Sequence, residues 1–109
     1  MKRYSILATH QFDHRLAEIE EFVAVRSEPR AVAVVAEIMA HVAKLKTLPR
    51  RGRMVPEILD DNMRELIVLR EYRLLYRVDD ENRRVTILSV ISGRRPFPYQ
   101  DVLDDAAGG

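Results

Sequence analysis

Between Arg64 and Ser92 the chain passes through three apolar runs, joined only by Arg70-Glu71 and by Asp79–Arg83. Connections that short cannot carry a crossover, so the runs can pair only as antiparallel neighbours. The middle run, Tyr72–Val78, alternates. Tyr72, Leu74, Tyr76 and Val78 fall on one side, and Arg73, Leu75 and Arg77 on the other. The first run, Arg64–Leu69, and the third, Arg84–Ser92, carry the Val, Ile, Leu and Thr content of strands. A three-stranded antiparallel meander is therefore expected over this half of the chain.

The preceding half has a different period. After a short apolar strand at Arg3–Ala8, Thr9 is placed to cap a helix, and Phe12, Leu16, Ile19, Phe22 and Val23 recur at steps of three and four. Ser27-Glu28-Pro29 interrupts this run, because proline suits a helix start and not its interior. A second helix follows over Pro29–Lys46, with Val32, Val35, Ile38, Val42 and Leu45 as its apolar face and alanines at 31, 33, 36, 40 and 43. Small residues allow close approach, which predicts an antiparallel helical hairpin. Val55–Asn62 reads as a loop. The expected fold is α+β in the order β-α-α-β-β-β, with the hairpin packed on a mostly antiparallel four-stranded sheet.

A chain of 109 residues with 47% hydrophobic content supports one core. The expected organisation is a single domain over 1–103 followed by a flexible tail at 104–109. No cysteine is present, which removes disulfides, thiolate metal sites and cysteine nucleophiles. No run approaches the ~20 apolar residues of a membrane span, and the apolar run near the N-terminus is too short for a signal peptide. A soluble cytoplasmic protein with no membrane partner is expected. The net charge of +1 hides a gradient: residues 41–98 hold thirteen Lys/Arg against eight Asp/Glu, while the last eleven hold three aspartates. The basic excess favours an anionic partner.

Arg73 and Arg77 lie four apart on one strand and share a face, which Arg64 joins if the register allows. Arg94 and Arg95 leave the end of the third strand. Convergent guanidinium groups suit bidentate binding of phosphate or carboxylate, so Arg73, Arg77, Arg94 and Arg95 are the candidate target-binding residues. The alternative is that these arginines are solvated, or paired with Glu65, Glu71 and Asp80. His10 and His14 have an i, i+4 spacing but no third ligand in a metalloprotease pattern, and no metal or cofactor is expected. Tyr99 could donate a proton or stack on a base, or pack against Phe97.

Four elements carry a resemblance: Gly52-Arg53 with Pro56-Glu57, Arg64-Glu65-Leu66, Tyr72-Arg73 with Tyr76-Arg77-Val78, and Gly93-Arg94-Arg95. Together with the helical hairpin, they make the chain similar to the RelE/ParE superfamily of bacterial toxins. The resemblance implies the toxin of a type II toxin–antitoxin pair, of the kind that stabilises plasmids, held by a cognate antitoxin in a homodimer or a toxin–antitoxin hetero-oligomer. Two activities occur among such toxins. RelE-like members cleave messenger RNA on the ribosome without metal, and Arg64, Arg73, Arg94, Arg95 and Tyr99 are the nearest counterparts of their catalytic groups. ParE-like members inhibit DNA gyrase and need no catalytic residue. Many relatives have histidine where Ser92 stands, so this chain has one acid–base group fewer. That departure and the modest charge favour the gyrase branch. A fold of this kind serving only as a non-toxic binding module is the third reading.

Overall fold

A computed structural model describes the backbone of residues 3–108 and the side chains of residues 3–103. The elements are β1 (Ser5–Ala8), α1 (His10–Ala24), α2 (Glu28–Lys44), β2 (Arg53–Met54), β3 (Met63–Val68), β4 (Tyr72–Asp79), β5 (Arg84–Ser92) and α3 (Tyr99–Gly108). Short connections make β3, β4 and β5 an antiparallel meander, as their spacing requires. The helical hairpin is long enough to act as a crossover, and it returns β1 parallel to β5. The sheet order is β1-β5-β4-β3-β2. The α+β class and the mostly antiparallel sheet agree with the sequence reading. The strand count does not: there are five strands, because Arg53–Met54 pairs with β3.

Helix starts are set by the residues that the pattern singled out. Thr9 Oγ1 accepts from the Phe12 N–H at 3.1 Å and itself donates to the Ile87 and Leu88 carbonyls, so the cap also ties α1 to β5. Ser27 Oγ accepts from the Arg30 N–H at 3.2 Å, with Pro29 in the first turn of α2.

One face of the sheet receives both helices. Tyr72, Leu74, Tyr76 and Val78 of β4 pack with Val85, Ile87 and Val90 of β5, and with Phe12, Val34, Ile38 and Val42 from the helices. Two expectations about the helix faces are corrected. Ala31 and Val34 are buried where Val32 and Val35 were expected, and Val32 is 66% exposed. Both phases of the pattern share Ile38, Val42 and Leu45, and packing selects the one in which alanine admits the neighbouring element. Phe22, expected on the buried face of α1, is 74% exposed.

The opposite face holds a second, smaller cluster: Leu75, Met63, Val55, Leu88 and Val102. Its lid is α3, which the sequence reading did not assign. That reading treats 104–109 as flexible tail. The backbone is helical through Gly108, and the side chains from 104 onward lie outside the described residues. The β4–β5 register shifts between Leu75 and Tyr76, which face Ser89 and Ile87, so Leu88 has no direct partner across the ladder. It is fully buried in the second cluster.

The β3–β4 turn is strained. Leu69 (φ 53°) and Arg70 (φ 58°) are consecutive left-handed residues, and the Glu71 N–H closes the turn on the Val68 carbonyl at 3.1 Å. Positive φ at both central positions is the geometry that Asn-Gly commonly supplies. An ordinary L-residue there costs about 1–2 kcal/mol. Among the described residues no helix is long and apolar enough to cross a membrane.

Candidate target-binding site

Arg73 extends from β4 on the face opposite the helical hairpin, where Ile67 and Ile91 are its register partners. Its Nε donates to Glu65 Oε1 at 2.6 Å, and its Nη1 and Nη2 donate to the two Glu57 oxygens at 2.8 and 2.7 Å. The Phe97 ring lies under the guanidinium, 5.1 Å from carbon to centroid. Glu65 is fully buried, and its other oxygen accepts from Arg53 Nε at 2.7 Å. Every nitrogen of Arg73 is thus committed to a carboxylate, and the hydrogen bonds it donates to Glu57 and Glu65 push its pKa further above an already high value. The same contact holds the Glu57 carboxyl below the usual carboxylate range. Removing Arg73 from this knot to grip a phosphate would leave buried Glu65 with Arg53 alone, which is costly. The knot instead does structural work: it fastens the 55–58 segment, β2 and the 97–99 segment to the sheet.

The other candidates are dispersed. Arg64 faces Tyr76 across the ladder, so it lies on the helix side and not beside Arg73, which corrects the grouping expected from the sequence. It is consumed by loop carbonyls and a carboxylate: Nη1 to the Gly52 carbonyl at 3.0 Å, Nε to the Asp61 carbonyl at 2.9 Å, and Nη2 to Asp61 Oδ1 at 2.6 Å. Nearby, the Gly52 N–H donates to the buried Tyr76 hydroxyl at 2.9 Å. A Cβ on Gly52 would stand 2.6 Å from that hydroxyl and 2.5 Å from the Glu65 carbonyl oxygen, so this close approach requires glycine. Arg77 shares the face of Arg73, is half-buried, and faces Met63 and Thr86. Tyr99 opens α3, is 48% exposed, and meets Phe97 edge-on with ring centroids 4.7 Å apart. Arg73, Phe97 and Tyr99 therefore form one stack.

Arg94 and Arg95 are elsewhere. They leave the end of β5, both exposed, and line a groove of about 430 Å³ between α1 and the ends of β4 and β5. Ile19, Phe22, Tyr72, Val90 and Ile91 give this groove an apolar floor and wall, and Arg15, Glu18 and Glu71 complete its rim. Among the described residues the Arg94, Arg95 and Arg70 guanidiniums make no hydrogen bond or ion pair, which separates them from Arg64 and Arg73. The Gly93 N–H bonds to the Glu71 carbonyl at 2.7 Å, so the Arg94-Arg95 segment is fastened to the strained turn.

Two contacts escaped the sequence reading. Glu57 was noted only as part of a motif, yet it is the bidentate partner of Arg73. Asp101 anchors α3, accepting from Arg15 Nε at 2.8 Å and from buried Ser89 Oγ at 2.7 Å. No local pattern signals a contact across more than eighty residues.

Residues 6–97 match the family described as the ParE toxin of type II toxin–antitoxin system, parDE. No curated protein matches the chain. Among the solved structures similar to it are three toxin structures. One is a chromosomal ParDE toxin–antitoxin system from P. aeruginosa: TM-score 0.68 and 22% identity, covering 83% of this chain and 96% of that one. Another is the RelBE2 toxin–antitoxin complex from Mycobacterium tuberculosis: TM-score 0.59 and 29% identity, covering 87% and 97%. The third is a mutant of the E. coli toxin RelE in the free state: TM-score 0.67 and 16% identity, covering 94% and 97%.

Proposed function

The chain belongs to the ParE toxin family of type II toxin–antitoxin systems, and on that premise we propose that it arrests growth by engaging DNA gyrase, with no catalytic residue of its own. The observation that carries this reading is the commitment of Arg73. A ribonuclease of the RelE kind needs mobile or unpaired cationic groups around one phosphate, with an acid and a base in reach. Here Arg73 is locked between Glu57 and Glu65, Arg64 is held on the other face, and Arg94 and Arg95 belong to a separate groove. Ser92 stands where an imidazole would supply acid–base chemistry. This distribution supports binding over catalysis.

A cognate antitoxin is the second partner. Two of the similar structures are toxin–antitoxin assemblies, and the apolar groove beside α1, flanked by Arg94 and Arg95, which have no partner among the described residues, supports docking of an antitoxin segment that orders on binding. The half-exposed Tyr99 stacked on Phe97 is the one feature favouring the ribonuclease reading.

Purified toxin tests the choice. On the gyrase reading it blocks supercoiling and leaves messages intact in a translating extract. Cleavage that requires ribosomes, with supercoiling untouched, reverses the assignment. Normal growth on expression of folded protein, unchanged by the antitoxin, leaves a non-toxic binding module.

A further inference from the structure

The β3–β4 turn is built against its own stability. Leu69 and Arg70 both take left-handed backbone conformations in a position where Asn-Gly would fit without strain. Their side chains do not stabilise the fold in return. Leu69 is 48% exposed, Arg70 is exposed, and the Arg70 guanidinium has no partner among the described residues. Ile67, two residues earlier on β3, is also 48% exposed. The Gly93–Glu71 hydrogen bond holds Arg94 and Arg95 beside this tip. The end of the sheet therefore presents exposed Leu69 and Arg70, with the Arg94-Arg95 segment tied to the same turn, and these three guanidiniums have no partner among the described residues.

Strain that persists without local benefit points to a function at the strained residues. We propose that the Leu69–Arg70 tip, flanked by Arg94 and Arg95, is the surface by which the toxin engages its target, and that the target offers a folded acidic protein surface with an apolar recess. The inference rests on the toxin reading above and names the site through which it acts. The shape of the tip selects the partner. A projecting turn enters a concavity on a folded protein, whereas a disordered antitoxin segment is suited to the groove beside α1. The chemistry selects it as well. Three arginines match carboxylates, and Leu69 requires an apolar pocket that a phosphate backbone does not provide.

The test is the variant Leu69→Asn/Arg70→Gly, which relaxes the turn and removes both side chains. The melting temperature is expected to rise by about 4 °C or more. Growth arrest is expected to weaken by roughly tenfold in the inducer level required, the mark of a lost anchor. Capture of the co-expressed antitoxin is expected to stay at the wild-type level. Because the variant is more stable, reduced arrest cannot be ascribed to misfolding. Unchanged growth arrest overturns the proposal, and loss of antitoxin capture along with arrest assigns the tip to the antitoxin and overturns it equally. If the variant instead melts lower, Arg70→Glu decides: it keeps Leu69 and breaks no ion pair, so arrest must still weaken at wild-type stability, and undiminished arrest overturns the proposal. Wild-type arrest without inhibition of supercoiling removes the gyrase reading alone. The tip assignment then stands or falls on the growth arms.

Discussion

The two groups of arginines on this molecule differ in what surrounds them. At the centre of the sheet's second face, Arg73 is 13% exposed and held by three carboxylate contacts and an aromatic ring, and Arg53 and fully buried Glu65 extend the knot to β2. At the end of the sheet, Arg70, Arg94 and Arg95 are exposed and unpaired among the described residues. The same side chain is thus used as a structural fastener in one place and left without a partner among the described residues in the other. A basic motif alone does not identify a binding site; the carboxylates around it decide which of the two it is.

The largest expected effect lies in the fastener. Arg73→Ala leaves Glu65 buried with only Arg53 and should cost about 3 kcal/mol of stability, read by denaturant unfolding. A loss below about 1 kcal/mol would mean that the knot is dispensable. Gly52→Ala comes next, because its Cβ would press on the Glu65 carbonyl and the Tyr76 hydroxyl. Forced shifts of this kind cost about 1–3 kcal/mol, and unchanged stability would show that this approach can relax.

Acid sharpens the comparison. The Glu57 carboxyl is depressed by its bond from Arg73, so its contribution is complete above the ordinary carboxylate value of about 4.3 and is lost as pH falls through the lower folded value. Wild-type stability should therefore fall over that acid window more steeply than that of Arg73→Ala, in which the largest part of the linkage is gone. Parallel profiles would remove Glu57 from the knot. The smallest effect on stability belongs to the free group: Arg94→Ala/Arg95→Ala should stay within about 0.5 kcal/mol of wild type while weakening growth arrest or antitoxin capture.

Much of this architecture was legible in the sequence, and the limits have physical causes. The meander followed from period-two alternation and short connections, and the helix starts from Thr9 and Pro29, because these are local signals; the cap supplied by Ser27 was not read. Strand β2 has only two residues, Arg53 and Met54, too few for any period to register. Helix α3 is held by Asp101 through Arg15 and Ser89, contacts set by the tertiary fold. Among the site residues, the sequence could put Arg73 and Arg77 on one face. It could not put Arg64 on the other without the register, and it could not pair Arg73 with Glu57, sixteen residues away in a loop. The alternative that the arginines were paired was correct for Arg73, with Glu65 as one named partner.

The central claim is that Arg73 belongs to the fold and not to the toxin's chemistry. The variant Arg73→Met/Glu65→Leu tests it most directly. It replaces the buried ion pair with apolar groups of similar volume, an exchange that folded proteins often tolerate, and frees Arg53, which is already 62% exposed. The growth arrest caused by the cooperatively folded variant is the measurement. The account predicts arrest at the wild-type level with no guanidinium at position 73, whereas a variant that melts cooperatively but no longer arrests growth would contradict it.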